Sequence, residues 1–151
     1  MSSRFVYVTY IKTTPRKLWE ALLRPEFTRA YWKGMVQESE WKKGATWRLV
    51  FPDGRVADAG EVVEIDPPHR LVLAWRNEWK PEFKDEGFSR ATLTLEPKGE
   101  TVKLTVTHEM ERDGAKLIDA VGQGWPQILS SLKSLLETGA ALDVMEGAKS
   151  G

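Results

Sequence analysis

From Gly34 to His108 the apolar residues recur at every second position, and only after that run does a long stripe with helical spacing appear. This order constrains the fold more than any other feature of the chain. Period two over so long a stretch means strands, since successive side chains of a strand point to opposite faces. The pattern predicts strands near Val36–Trp41, Thr46–Pro52, Val56–Asp66, Arg70–Trp79, Phe88–Pro97 and Thr101–Met110. The segments between them, "KKGA", "PDGR", "DPPHR" and "PKGE", carry turn chemistry and are short enough for hairpins. An antiparallel meander follows. "RFVYVTYI" (Arg4–Ile11) adds a further strand ahead of it, so about seven strands must cover one apolar face. Leu117, Val121, Trp125, Ile128, Leu132 and Leu135 fall on one helical stripe, with Leu129 and Leu136 beside it, and no other segment is long enough to do the covering. The expected class is α+β: a curved antiparallel sheet wrapped around a long C-terminal helix.

Two short helices are expected after the first strand. Thr14 is placed to cap one, with Pro15 at its first position and Leu18, Trp19, Leu22 and Leu23 at helical spacing; Pro25 opens another that runs to about Tyr31. "KPEFKDEG" (Lys80–Gly87) is charged, ends in glycine and reads as a mobile loop, with Trp79 and Phe83 flanking it as loop anchors or as a ligand lid. The last stripe contains "GQGWPQ" (Gly122–Gln127), which interrupts a helix in two acceptable ways. Either the helix begins at Gly124/Trp125 with Pro126 in its first turn, or a helix from Gly114 passes through with the glycines absorbing a bend. Gly139 is a natural stop. One domain over residues 1–138 and a frayed tail over 139–151 are expected, with Leu142, Val144 and Met145 able to extend or dock a short helix there.

Composition removes several classes of function. Lys+Arg and Asp+Glu both number 22, so there is no basic excess for nucleic acid. Without cysteine there is no disulfide framework, thiolate metal site or cysteine nucleophile. No segment reads as a signal peptide or membrane span, so the expected location is the cytoplasm. "HEMER" (His108–Arg112) starts like a zinc-protease motif but ends in Arg112; "GFSRA" (Gly87–Ala91) lacks the second glycine of a nucleophile elbow; "GQGWPQ" lacks the third glycine of a dinucleotide loop. No metal, cofactor or catalytic residue is expected.

When a sheet curls around a helix, its concave face and the helix diverge at one end and leave an apolar gap. Strand alternation nominates Trp47, Leu49, Leu71, Leu73, Trp75, Leu93, Leu104, Val106 and His108 for the concave face, and Trp32, Val121, Trp125 and Leu129 from the helices. Seven tryptophans suit such a lining. His108 points inward by parity and is expected either as a hydrogen-bonded structural histidine or as a polar group of the gap that orients a ligand, and His69, in a tight turn, is expected at the surface. Asp58, Glu61 and Glu64 are carboxylates on one strand that could supply a carboxylate to the gap; Glu61 and Glu64 differ in parity and are expected on opposite faces, at least one of the three on the solvated outer side.

The element order, with "TTPRKLWEALLRPEFTRAYW", "WKKGATWRLVFPDG", "GEVVEIDPPHRLVLAW", "ATLTLEPKGETVKLTVTHE" and "GWPQILSSLKSLLE", resembles the helix-grip fold of the START/SRPBCC superfamily. Within it the chain is similar to domains of the activator of heat-shock protein 90 ATPase, C-terminal type, over about residues 4–138. It has Gly44-Ala45 where such domains often have two glycines. The co-chaperone that names the family carries a further N-terminal domain; one domain is expected here. The reading from the fold is non-catalytic binding of a small hydrophobic molecule, by a monomer or homodimer, with no nucleic-acid or membrane partner. The resemblance implies two alternatives: a co-chaperone-like interaction module acting on a chaperone, and an enzyme of cyclase or hydrolase type.

Overall fold

The computed structural model describes residues 2–142. Its elements are β1 (Ser3–Ile11), α1 (Pro15–Leu23), α2 (Pro25–Tyr31), β2 (Val36–Ser39), β3 (Thr46–Val50), β4 (Val56–Asp66), β5 (Arg70–Asn77), α3 (Pro81–Lys84), β6 (Ser89–Lys98), β7 (Thr101–Met110) and α4 (Lys116–Thr138). The strands form one curved antiparallel sheet of seven in the order β1-β7-β6-β5-β4-β3-β2. Every neighbour but one is consecutive in sequence, as hairpin connectors require; β1 closes on β7 from the other end of the chain. The sheet grips α4, and α1 and α2 cover the remaining apolar surface. This is the α+β helix-grip architecture.

Local chemistry accounts for the short helices. Thr14 Oγ1 accepts from the Lys17 amide at 3.2 Å, and Pro15 and Pro25 each stand in a first turn, where a missing N–H costs nothing. α4 follows the second of the two expected courses. It runs unbroken from Lys116, with Pro126 inside it, so the Gly122 carbonyl lacks its usual amide partner four residues on. It stops at Gly139, whose φ of 86° lets its amide reach Leu135 O at 2.9 Å. The expected tail lies, from residue 143 on, outside the described residues, Val144 and Met145 with it.

Two expectations need correction. Glu61 and Glu64 are both exposed on the same side of the sheet, because a bulge between Val62 and Glu64 inserts one residue and reverses the parity. The segment Lys80–Gly87 is not a plain loop: it contains α3, and Glu86 reaches across to the start of α4. Ala115 offers that helix no side-chain cap, and the Glu86 carboxylate accepts from the amides of Lys116 and Leu117 at 2.8 and 2.9 Å instead.

The candidate functional site: a cavity at the open end of the grip

Along the length of α4 the space between helix and sheet changes abruptly. Around Leu129 it is filled: Leu71, Leu73, Leu93 and Leu129 enclose a gap of only about 10 Å3. Around Gly124 it opens into a cavity of about 470 Å3, between the first half of α4, strands β3 to β5 and the segment that carries α3. Trp32, Trp75, Trp125 and Ile128 touch both spaces and form the wall between them.

That wall is fixed by hydrogen bonds from indole nitrogens. Trp125 Nε1 donates to His108 Nδ1 at 3.1 Å, and His108 Nε2 lies 2.8 Å from Ser89 Oγ, which donates to the Trp75 carbonyl at 2.9 Å. An indole can only donate, so His108 must accept at Nδ1 and donate from Nε2. Burial pushes the pKa of His108 down to about 3, in keeping with a neutral ring. Trp47 Nε1 is held in the same manner by Gln37 at 2.9 Å. Gly60 lies in register between Trp47 and Trp75, whose ring centroids are 4.6 Å apart; a Cβ there would meet Ala74 O at 1.7 Å.

The cavity floor carries one ionisable side chain. Asp58 stands in register with Leu49 and Asn77 on the concave face and is 7% exposed. Its Oδ1 accepts from Trp75 Nε1 at 2.9 Å. Its Oδ2 makes no protein hydrogen bond and opens on the cavity, since no buried side-chain nitrogen or oxygen among the described residues lacks a partner. Burial raises the pKa of Asp58 to about 7, against the lowering effect of the Trp75 hydrogen bond, with the charge of Glu78 adding to the rise. Beside it Asn77 Oδ1 accepts from the amides of Trp79 and Lys80 at 3.2 and 2.8 Å. That cap turns the chain so that Trp79, Lys80 and Phe83 overhang the cavity.

Lys33 lies on the opposite rim in the left-handed region, with φ of 52°, a conformation few non-glycine residues adopt. Partial burial, then the charge of Lys80, lowers its pKa. Gly124 lines the cavity from α4, and a Cβ added to it would meet nothing within 4 Å. Gly122, two residues earlier, faces the other way: its Cβ would lie 3.1 Å from Phe5 Cδ1.

The nominated lining residues therefore divide into three groups. Trp32, Leu49, Trp75, Val121 and Trp125 border the cavity. Leu71, Leu73, Leu93 and Leu129 lie at the filled end. Trp47, Leu104, Val106 and His108 are fully buried in the core and border neither space, so His108 is not free to orient a ligand. Trp79 and Phe83, expected as loop anchors or as a ligand lid, are part of the lining. Asn77 was missed although it continues the Leu73–Trp75 row at the same parity; Lys33 and Lys80 carry no signal in sequence that separates them from other surface lysines. No three metal-ligating side chains come together among the described residues, and none of their helices is long and apolar enough to cross a membrane.

Comparison with known proteins places this geometry in a family. A search of curated proteins finds no match. Among solved structures, protein MLL2253 from Mesorhizobium loti is 25% identical, with 89% of this chain and 97% of that one covered and a TM-score of 0.76. An HSP90 activator from Plasmodium falciparum is 21% identical over 88% of this chain and 95% of that one, with a TM-score of 0.71. The Aha1 dimer from Colwellia psychrerythraea gives 18%, 91%, 98% and 0.73 for the same quantities. The latter two likenesses are of fold. The sequence profile named "Activator of Hsp90 ATPase homolog 1-like protein" matches residues 12–137, and the chain belongs to that family.

Proposed function

We propose that the protein binds a small hydrophobic molecule, without transforming it, in the cavity between the first half of α4 and strands β3 to β5. The observation that carries this reading is the contrast in filling. A core that leaves only about 10 Å3 around Leu129 leaves about 470 Å3 one helical turn and a half away. That volume is within the range of small-molecule sites, and such sites pair apolar walls with a few placed polar groups. Here the walls are Trp32, Phe51, Trp75, Trp125 and Ile128, and the polar groups are Asp58 and Asn77. Native mass spectrometry of protein purified from its own host should show a retained small molecule. A thermal-shift screen of fatty acids, flavonoids and aromatic polyketides should show at least one saturable rise in Tm; ligand at one hundred times Kd stabilises by about 2.7 kcal/mol. An empty protein whose Tm no hydrophobic compound moves would end this reading.

A second reading concerns a different surface. Val6, Val8 and Tyr10 are 47%, 44% and 49% exposed in one row on β1, an edge strand of the sheet. An apolar row at an edge favours contact with another protein. The HSP90 activator and the Aha1 dimer among the structural neighbours suggest the two partners to test, a chaperone of the Hsp90 type and a second copy. Sedimentation and calorimetry with wild-type protein and Val8→Glu test both; unchanged behaviour of the variant would remove this surface from consideration.

A further inference from the structure

The cavity has two unlike poles. At the deep end stand Asp58 Oδ2 and Asn77, whose side-chain nitrogen makes no protein hydrogen bond. At the rim stand Lys33 and Lys80, near enough for the charge of one to lower the pKa of the other. Two cations on one rim repel, and no carboxylate among the described residues pairs with either. The position is moreover specified. Lys80 lies over the rings of Trp79 and Phe83, at 4.9 and 5.6 Å from their centroids, and Lys33 is held in its left-handed turn next to Gly34, whose Cβ would come within 2.9 Å of Pro52.

We infer that the ligand is an amphiphilic acid, a ring-bearing apolar body with one anionic group, bound with its anion between Lys33 and Lys80 and its body against Trp75 and Trp125. This rests on the cavity being a ligand site and adds the class of ligand and its direction. The direction follows from charge. An anion at the floor would face the Asp58 carboxyl, which ionises most easily when nothing negative is near, whereas an anion at the rim relieves the repulsion between the lysines. A hydroxyl or carbonyl at the far end of the body would meet Asp58 and Asn77.

Two dyes with the same ring system test this: 1-anilinonaphthalene-8-sulfonate, an anion, and N-phenyl-1-naphthylamine, which is neutral. Both are titrated by fluorescence against the intact protein and against Lys33→Gln/Lys80→Gln. The expected result is that the sulfonate binds about tenfold more tightly than the amine, the energy of one good charge-assisted contact. The advantage should shrink as salt is raised and fall to within about twofold in the double variant. Equal affinity of the two dyes for wild-type protein, or a sulfonate advantage that survives in the double variant, overturns the assignment of an acid while leaving the cavity a site for neutral ligands. Binding of neither dye overturns the cavity reading and this inference with it. The double variant alters only rim side chains, and its near-ultraviolet circular dichroism and Tm are measured beside the titration to show that it is folded.

Discussion

Leu129 and Gly124 stand about one turn and a half apart on the same helix and do opposite things. Leu129 is 1% exposed and closes the space between α4 and the sheet to about 10 Å3. Gly124 removes a side chain where there was room for one, and the space beside it is about 470 Å3. Glycine inside a helix costs about 1 kcal/mol relative to alanine. At Gly122 the nearby Phe5 ring explains that cost. At Gly124 no neighbour does, and what the missing side chain leaves is cavity. The closed end of the grip is organised for stability, and the open end gives up stability for volume.

The comparison can be broken by mutation. The largest difference is expected between Leu129→Ala and Val121→Ala. The first empties a packed position and should cost about 2–5 kcal/mol. The second trims a partly buried residue that already borders a void, and should cost about 1 kcal/mol by urea unfolding. Similar costs would mean that the two ends do not differ in packing.

Next in size is the pH dependence attached to two buried polar groups, Asp58 in the cavity floor and His108 in the core behind its wall. Asp58 is held at about 7, above its ordinary value, so the folded protein keeps a proton that the unfolded chain releases. The stability linked to it is complete below about pH 4 and is lost as pH rises through 7, at up to ~1.4 kcal/mol per pH unit. Asp58→Asn should therefore gain stability on wild type steadily over that window and keep the gain above it. His108, held at about 3, has the reverse sign: its contribution is complete above about 6.5 and is lost as pH falls toward 3. Between about pH 4 and 6.5 the two slopes oppose each other in wild-type protein, and Asp58→Asn uncovers the rise with pH due to His108. A difference curve that is flat from pH 4 to 7 would show that Asp58 is not buried as described.

A smaller effect is expected at Glu86, which ties the overhanging segment to the start of α4. Glu86→Ala removes a helix cap and should cost about 0.5–2 kcal/mol. Amide exchange should accelerate first at Trp79–Phe83, with little change around Leu129. Smallest, and opposite in sign, is Gly124→Ala: a gain of roughly 0.5–1 kcal/mol, since helical dihedrals suit alanine and its methyl meets nothing.

The sheet and the closed end were legible in sequence, because alternation and turn residues report the strands and a striped helix has one surface to cover. The start of α4 was not: Gly122, Gly124 and Pro126 each weaken a helix locally, and the bonds and rings that hold Trp125 in place, at His108, Trp32 and Trp75, lie far off in the chain. Alternation gives the face of a residue and not its depth, which is why Trp47, Leu104, Val106 and His108 share the concave face with Trp75 yet lie away from the cavity. Glu61 and Glu64 share a face against their parity because "EVVE" hides a bulge at Val63 that no residue type marks. The rim lysines and the Glu86 cap depend on contacts made only after folding.

Gly124→Phe tests the central claim most directly, by filling the open end from the helix. With N-phenyl-1-naphthylamine as the probe, wild-type protein should bind one molecule saturably, and the variant should bind none while its Tm equals or exceeds that of wild type. A folded variant that binds the dye as wild type does would show that the space beside Gly124 is not where a ligand sits.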